Sequence, residues 1–312
     1  MIWKVISSIV IFLMFVFSFA FMIENLPRDP VELKVNYVEP ESVEIINYGA
    51  VPVFAESLRF NHNFISYFIE SDCDEDRRGM MIESLGIFSD EVGIVSFFEG
   101  DETSDIKVGC SDEFIELGDN LFAAGEGGPS RIINTSGFKV IEEGKVLLYN
   151  GNDCDYPIVA LHELGHVFGF SHSDDPKNIM YNTSDCEQRM SEDMVDLMVD
   201  LYSIEALADI KIESVDGIVK GRDLDFNISI LNEGLLDVVE IDLTIFADGD
   251  VVDVVELGEI GIGYGRTLRV ENMNMPKSSV DVLEFVVDYG DTLREIRKDN
   301  NIVEMIVDSN KT

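Results

Sequence analysis

Apolar positions along this chain repeat with two different periods, and the change falls near residue 206. Before it, short apolar runs alternate with stretches of period 3.6. Phe64–Ile69 predicts a strand, and Glu75–Phe88, with Met81, Leu85 and Phe88 on one face, predicts a helix. Strands are expected again at Gly93–Phe98 and Asp105–Val108. The stretch Gly125–Tyr149 ends in the strand-like run Lys145-Val146-Leu147-Leu148-Tyr149. Within it, Gly125-Glu126-Gly127-Gly128-Pro129 reads as a glycine-rich rim loop, because the Gly-Lys-Ser/Thr ending of a phosphate loop is missing. Two helices follow. The first has Asp155 as a candidate N-cap, Pro157 in its opening turn, and Ile158, Leu161 and Phe168 as core contacts. The second is expected behind Ser191, with Met194, Leu197, Met198, Leu201 and Tyr202 at helical spacing, a stripe that packing explains.

Beyond residue 206 the period is 2. Leu224, Phe226, Ile228 and Ile230 alternate with Asp225, Asn227 and Ser229; after Asn232-Glu233-Gly234, the residues Val239, Ile241, Leu243 and Ile245 alternate again. With Asp209–Glu213, Val251–Leu257, Thr267–Glu271, Val280–Asp288 and Ile302–Val307 this makes about seven strands, the count of an antiparallel β-sandwich.

The amino terminus has neither pattern. Lys4 precedes Val5–Ile23, an uncharged run of nineteen residues. As a helix it would measure roughly 28 Å, nearly a bilayer's hydrocarbon thickness, with the rest of the chain facing outward. It reads as a membrane anchor, or as a secretory signal with Ser18-Phe19-Ala20 as its cleavage site, so a membrane-anchored extracellular or secreted location is expected. Residues 25–59 are broken by Pro27, Pro30, Pro40 and Pro52 and read as an extended stalk, or as a strand ahead of the core that follows. The resulting division is 1–24 anchor or signal, 25–59 stalk, 60–205 α+β domain and 206–308 sandwich. The formal charge of -39, from 61 acidic and 22 basic residues, disfavours nucleic acid and anionic membrane surfaces as partners. Acidic loops could hold calcium, but no run has the spacing of a calcium loop.

The candidate chemistry lies in Leu161–Ser173. His162 and His166 stand four apart and project from one helical face toward a single metal ion, for which zinc is suited. Glu163 is turned about 100° from His162, beside the metal and able to take a proton from water. Gly169 can stop the helix at positive φ, and His172 then returns as a third ligand. Of four histidines in the chain, three are here; the fourth, His62, reads as part of the first strand's entry turn.

His162-Glu163-x-x-His166-x-x-Gly169-x-x-His172 resembles the motif of the metzincin zinc endopeptidases, whose methionine turn is matched by Met180. The His172-Ser173 opening and Met180-Tyr181 ending are similar to the matrixin branch, although Asn182 stands where matrixins usually have proline. The resemblance implies a zincin-like fold, one catalytic Zn2+ on His162, His166 and His172, Glu163 as general base, and Met180 as the floor under the metal. It also implies a peptide or protein substrate bound as an added strand along an edge within Gly125–Tyr149. Tyr181, adjacent to the methionine, is read as structural, and Ser173 as a hydrogen-bonding residue of the turn. The sandwich resembles the CARDB family of immunoglobulin-like adhesion modules, through Ala208-Asp209-Ile210, Asn232-Glu233-Gly234, and Asp288 through Glu295 to Asp299-Asn300-Asn301. That implies a spacer or a module for a surface partner. The competing reading is a surface adhesion protein with a structural or degenerate zinc site, which would have no use for Glu163.

Export makes disulfides the expected state of Cys73, Cys110, Cys154 and Cys186, with three pairings open. Joining Cys154 to Cys186 would tie both ends of the metal-binding segment, worth about 3 to 4 kcal/mol, and would leave Cys73 with Cys110. Asn134, Asn182 and Asn227 begin glycosylation sequons.

Overall fold

A computed structural model describes residues 12–19, 31–36, 52–118, 121–149 and 154–307. Residues 12–19 are an exposed apolar helix, and Lys4 with both ends of the uncharged run lies outside the described residues. No helix among the described residues is long and apolar enough to cross a membrane, so the expected spanning helix is not seen. The chain divides into two compact units. One comprises Ser42–Ala208 with Glu233–Leu236; the other comprises Met1–Glu41, Asp209–Asn232 and Asp237–Thr312. Strand β1 (Val31–Asn36) belongs to the second unit and is taken up with it.

The first unit holds a twisted sheet of β2 (Leu58–Phe60), β3 (Phe64–Ile69), β4 (Ser96–Glu99), β5 (Ile106–Cys110), β8 (Gly125–Asn134) and β9 (Lys139–Leu148). A small pair, β6 (Glu116–Gly118) and β7 (Leu121–Phe122), lies between β5 and β8 in sequence. The order β2-β9-β5-β3-β4 is parallel, and β8 runs antiparallel along the other side of β9. The strand-forming run Lys145–Tyr149 is therefore internal, and the edge is the segment that reads in sequence as a loop. Helix α1 (Glu75–Val92) is longer than its apolar stripe suggests. Asp74 caps its start by accepting from Arg77 N at 2.9 Å, and Gly93, at φ 72°, ends it.

Helices α2 (Ile158–Val167) and α3 (Glu192–Ser203) complete this unit. Neither start follows the expected capping. Pro157 occupies the N-cap of α2, and no side chain, Asp155 included, bonds its first amides. At α3, Ser191 sits at the N-cap but its hydroxyl accepts from Asn178 Nδ2 at 3.1 Å, tying the helix to the methionine turn instead. Met81, Leu85 and Phe88 of α1 share one core with Ile65, Ile106, Val146, Leu161 and Phe168, and Phe88 stacks on Phe168 at 4.6 Å between centroids. Arg59 is wholly buried in this core. Its guanidinium donates to the carbonyls of Leu201 and of Ile204 (2.9 Å) at the end of α3, and lies 4.6 Å over the Tyr202 ring. Arg77, also buried, donates to Asp74 at 2.7 Å and to Asp112 at 2.9 Å. The disulfides are Cys73–Cys110, between the α1 entry and β5, and Cys154–Cys186, across the two ends of the histidine segment.

The second unit is all β: β10 (Ile210–Lys220), β11 (Asp223–Asn232), β12 (Asp242–Ala247), β13 (Asp250–Glu256), β14 (Gly265–Asn274), β15 (Val282–Val287) and β16 (Ile302–Val307). These seven match the number that the alternation predicts, and β1 adds an eighth. All pairings are antiparallel, in the order β13-β12-β15-β16-β1-β10-β11-β14. Leu224, Phe226, Ile228 and Ile230 are buried as their period requires, and Asn227 between them is exposed. One predicted strand starts late: Val239 is exposed, and β12 begins at Asp242. The residues that carry the CARDB resemblance form buried polar joints. Glu295 accepts from Ile210 N at 2.8 Å and from Asn301 Nδ2 at 2.6 Å, and Asn300 Nδ2 donates to Asp209 Oδ1 at 2.8 Å. They hold the loop before β16 against the start of β10.

Candidate metal centre

One helical turn in α2 sets the first two histidines side by side, with ring centroids 4.7 Å apart. The helix then stops because Gly169 takes φ 94°, and a Cβ there would stand 2.8 Å from Leu58 Cδ2. Gly169 N donates to His166 O at 3.0 Å, and Ser171 N donates to Pro52 O at 2.8 Å, which fixes the returning chain. His172 arrives with its ring 5.3 Å from that of His162 and 5.0 Å from that of His166. The candidate ligand atoms of all three lie within 4.8 Å of one another, and exposure increases from His162 to His172. His62, by contrast, faces Asp105 Oδ1 at 3.4 Å and takes no part.

The rings are oriented from behind. His162 Nδ1 is 2.7 Å from Ile179 O, and His166 Nδ1 is 2.7 Å from Phe170 O. A carbonyl can only accept, so Nδ1 carries the proton on both rings and the Nε2 lone pair is left for a metal. Burial lowers the pKa of His162 to about 4 and moves that of His166 down as well, keeping the imidazoles neutral as ligation requires. This donor set fits a divalent cation of zinc's preference for nitrogen.

The methionine turn supplies the carbonyl behind His162 and packs against α2. Asn178 Oδ1 accepts from Met180 N at 2.8 Å, Ser173 N donates to Met180 O at 2.8 Å, and Ser173 Oγ accepts from Asp175 N at 3.1 Å. Met180 is 1% exposed and packs where a side chain on residue 165 would stand, a space open only because that residue is glycine. Tyr181 pairs with Ser173 as an isolated backbone bridge.

Glu163 lies between the first two histidines in sequence and is 6% exposed. Burial, and secondarily Glu126, push its carboxyl up to about 8. The residues around it are those the sequence reading missed. Glu126 sits on β8 and accepts from Tyr149 Oη at 2.8 Å; burial and that bond push the Tyr149 phenol up to about 12. Gly125 and Gly127 flank Glu126. A Cβ on Gly125 would stand 2.6 Å from Glu163 Cγ, and one on Gly127 would stand 2.8 Å from Glu163 Cα. The supposed rim loop is thus a strand stripped of side chains so that α2 can lie against it. The legible signal was Gly-x-Gly, whose spacing of two places both glycines on one strand face. Because Tyr149 N donates to Ala124 O at 2.9 Å, alternation along the ladder turns the main-chain groups of Gly125 and Gly127 away from β9, toward the open edge.

A mixed sheet with an antiparallel edge, two imidazoles on a helix that a glycine ends, a third on the returning chain and a methionine packed against Gly165 make up the site. Residues 74–207 match the family model described as Matrixin, and residues 196–305 match the model described as CARDB. No curated protein matches the chain. Among solved structures, the crystal structure of a Pyrococcus furiosus CARDB domain, in complex with di-metal ions, is similar at 14% identity over 32% of this chain and 88% of that one, with a TM-score of 0.27. A Methanosarcina acetivorans domain is similar at 15% identity, over 32% of this chain and 91% of that one, with a TM-score of 0.27. A solution structure of the Pyrococcus domain gives 15%, 32%, 94% and a TM-score of 0.26.

Proposed function

We propose that this protein is an exported zinc-dependent endopeptidase. The observation that carries the reading is the convergence of the candidate ligand atoms of His162, His166 and His172 to within 4.8 Å of one another, with Glu163 buried on the same helix and Met180 packed against Gly165. His162, His166 and His172 would hold zinc, which would supply Lewis-acid polarisation of a peptide carbonyl and an activated water. Ile179 and Phe170 hold the ligand rings in one tautomer through their carbonyls. Burial favours the neutral acid of Glu163, and a bound divalent cation would favour its carboxylate, which would take a proton from the attacking water and pass it to the departing amide nitrogen. The outward main-chain groups of Gly125 and Gly127 receive an extended peptide as an additional strand, which aligns its scissile bond along α2.

The competing assignment, a structural zinc site in an adhesion protein, leaves a buried carboxylic acid in the second position of the motif without a purpose. The match to CARDB supports surface association for the C-terminal unit, as an addition to peptidase activity. Two disulfides and the uncharged run Val5–Ile23 behind Lys4 support an extracellular location, anchored or secreted. The test is to measure zinc content and casein cleavage for the wild-type chain and for Glu163→Ala. One zinc per chain in both, with cleavage lost only in the variant, is expected; equal cleavage by both removes the catalytic assignment.

A further inference from the structure

Strand β1 precedes the metal-binding unit in sequence yet belongs to the β unit that follows it. It does not merely extend an edge. Val31 and Glu32 pair with Val219 and Ile218 of β10, whereas Leu33, Lys34, Val35 and Asn36 pair with Val307, Ile306, Met305 and Glu304 of β16. Among the described strands, β1 is thus the one that joins the ladder β14-β11-β10 to the ladder β16-β15-β12-β13. A seat is built for it. Leu33 Cδ1 lies 3.0 Å from where a Cβ on Gly217 would stand, so the glycine in the middle of β10 leaves the room that Leu33 uses. On β16, Val303, Met305 and Val307 are buried, which fixes the register that β1 meets. β1 also lies outside the stretch that matches CARDB, residues 196–305.

We propose that β1 is a non-covalent latch, and that the groove between β10 and β16 is a binding site for an extended peptide whose resident ligand is residues 31–36 of this chain. Main-chain hydrogen bonds on both sides hold the strand, and the Leu33 side chain sets its position. The N-terminal segment is then attached to the C-terminal unit twice, once through the chain and once through this groove. A single cut between Asn36 and the metal-binding unit does not release it. The proposal is independent of the peptidase assignment, since it involves no residue of the metal centre.

The test uses the full chain in detergent, with an affinity tag at the amino terminus and a recognition sequence for an unrelated site-specific protease inserted between Glu41 and Ser42. After complete cleavage, the tagged N-terminal piece is expected to retain the remainder of the chain on resin. Leu33→Asp is expected to lower that retention roughly tenfold or more. A second readout does not depend on the variant folding: in uncut wild-type protein, amides of Val31–Asn36 and Ile302–Val307 should show matched protection from hydrogen exchange. Immediate release of the wild-type remainder, equal retention by Leu33→Asp, or unprotected β1 amides beside a protected β16 would each overturn the latch.

Discussion

Met180 fills the space that a side chain on Gly165 would need. The helix that carries His162 and His166 and the methionine turn are therefore fitted to each other at one residue, between those two histidines. Gly165→Ala puts a methyl group into that contact, and overpacking of this kind costs about 1 to 3 kcal/mol. Chemical denaturation should show the loss. Metal titration should show weaker zinc binding, because Ile179, which orients His162, must move with Met180.

The glycines of β8 divide sharply by position. A Cβ on Gly127 would run into the Glu163 backbone, whereas one on Gly128 meets nothing within 4 Å. Gly127→Ala is expected to lower casein cleavage by roughly a hundredfold by displacing α2, in line with what small misplacements cost. Gly128→Ala should cleave like wild type. Parallel kinetics on the two variants check this, and equal activity would show that β8 does not position Glu163.

Arg59 has main-chain carbonyls as its partners at the end of α3. Replacing it with methionine keeps most of its volume but leaves buried acceptors at Leu201 and Ile204 without a donor. The expected destabilisation is about 2 to 4 kcal/mol, read as a lower midpoint in thermal unfolding of the metal-binding unit.

The C-terminal unit should lose stability as pH rises. Burial first, and then Asp288 and Asp209, push the Glu295 carboxyl up from the ordinary 4.5 to about 7, against the pull of its bonds from Ile210 and Asn301. The folded state thus binds this proton more tightly than the unfolded chain does. Its contribution, on the order of 3 kcal/mol, is complete below pH about 4.5 and disappears as pH climbs through about 7. Unfolding midpoints at pH 5 and pH 8 should differ in wild type and converge in Glu295→Gln.

Removing the Cys154–Cys186 bridge by a double change to serine frees both ends of the histidine segment. Loop-entropy arithmetic for its separation of 32 residues gives about 3 to 4 kcal/mol. Calorimetry of the double variant should register the loss, accompanied by weaker zinc retention against a chelator.

The convergence of the three histidines was legible because its geometry is local. Four residues of helix carry His162 to His166, and one glycine turns the chain back to His172, so neighbours in sequence become neighbours in space. The two sheet types were legible for a similar reason, since the alternation of Leu224, Phe226, Ile228 and Ile230 follows from burial of one face. Helix starts were less so. Asp155 and Ser191 have the right chemistry for capping, but Ser191 is engaged by Asn178 from a turn thirteen residues away.

By itself, then, the sequence determined which histidines converge and where the chain changes from mixed to all-β structure. Only the tertiary structure decided what surrounds them. The edge strand is Gly125–Asn134 because a backbone without side chains is what α2 can lie against, a requirement that appears only when strand and helix are brought together. Residues 31–36 read as a stalk or as a strand ahead of the core, and become part of a sheet whose other strands begin at Ile210. Hydrogen bonding between strands is indifferent to separation along the chain, so no local pattern could have assigned β1 its partners.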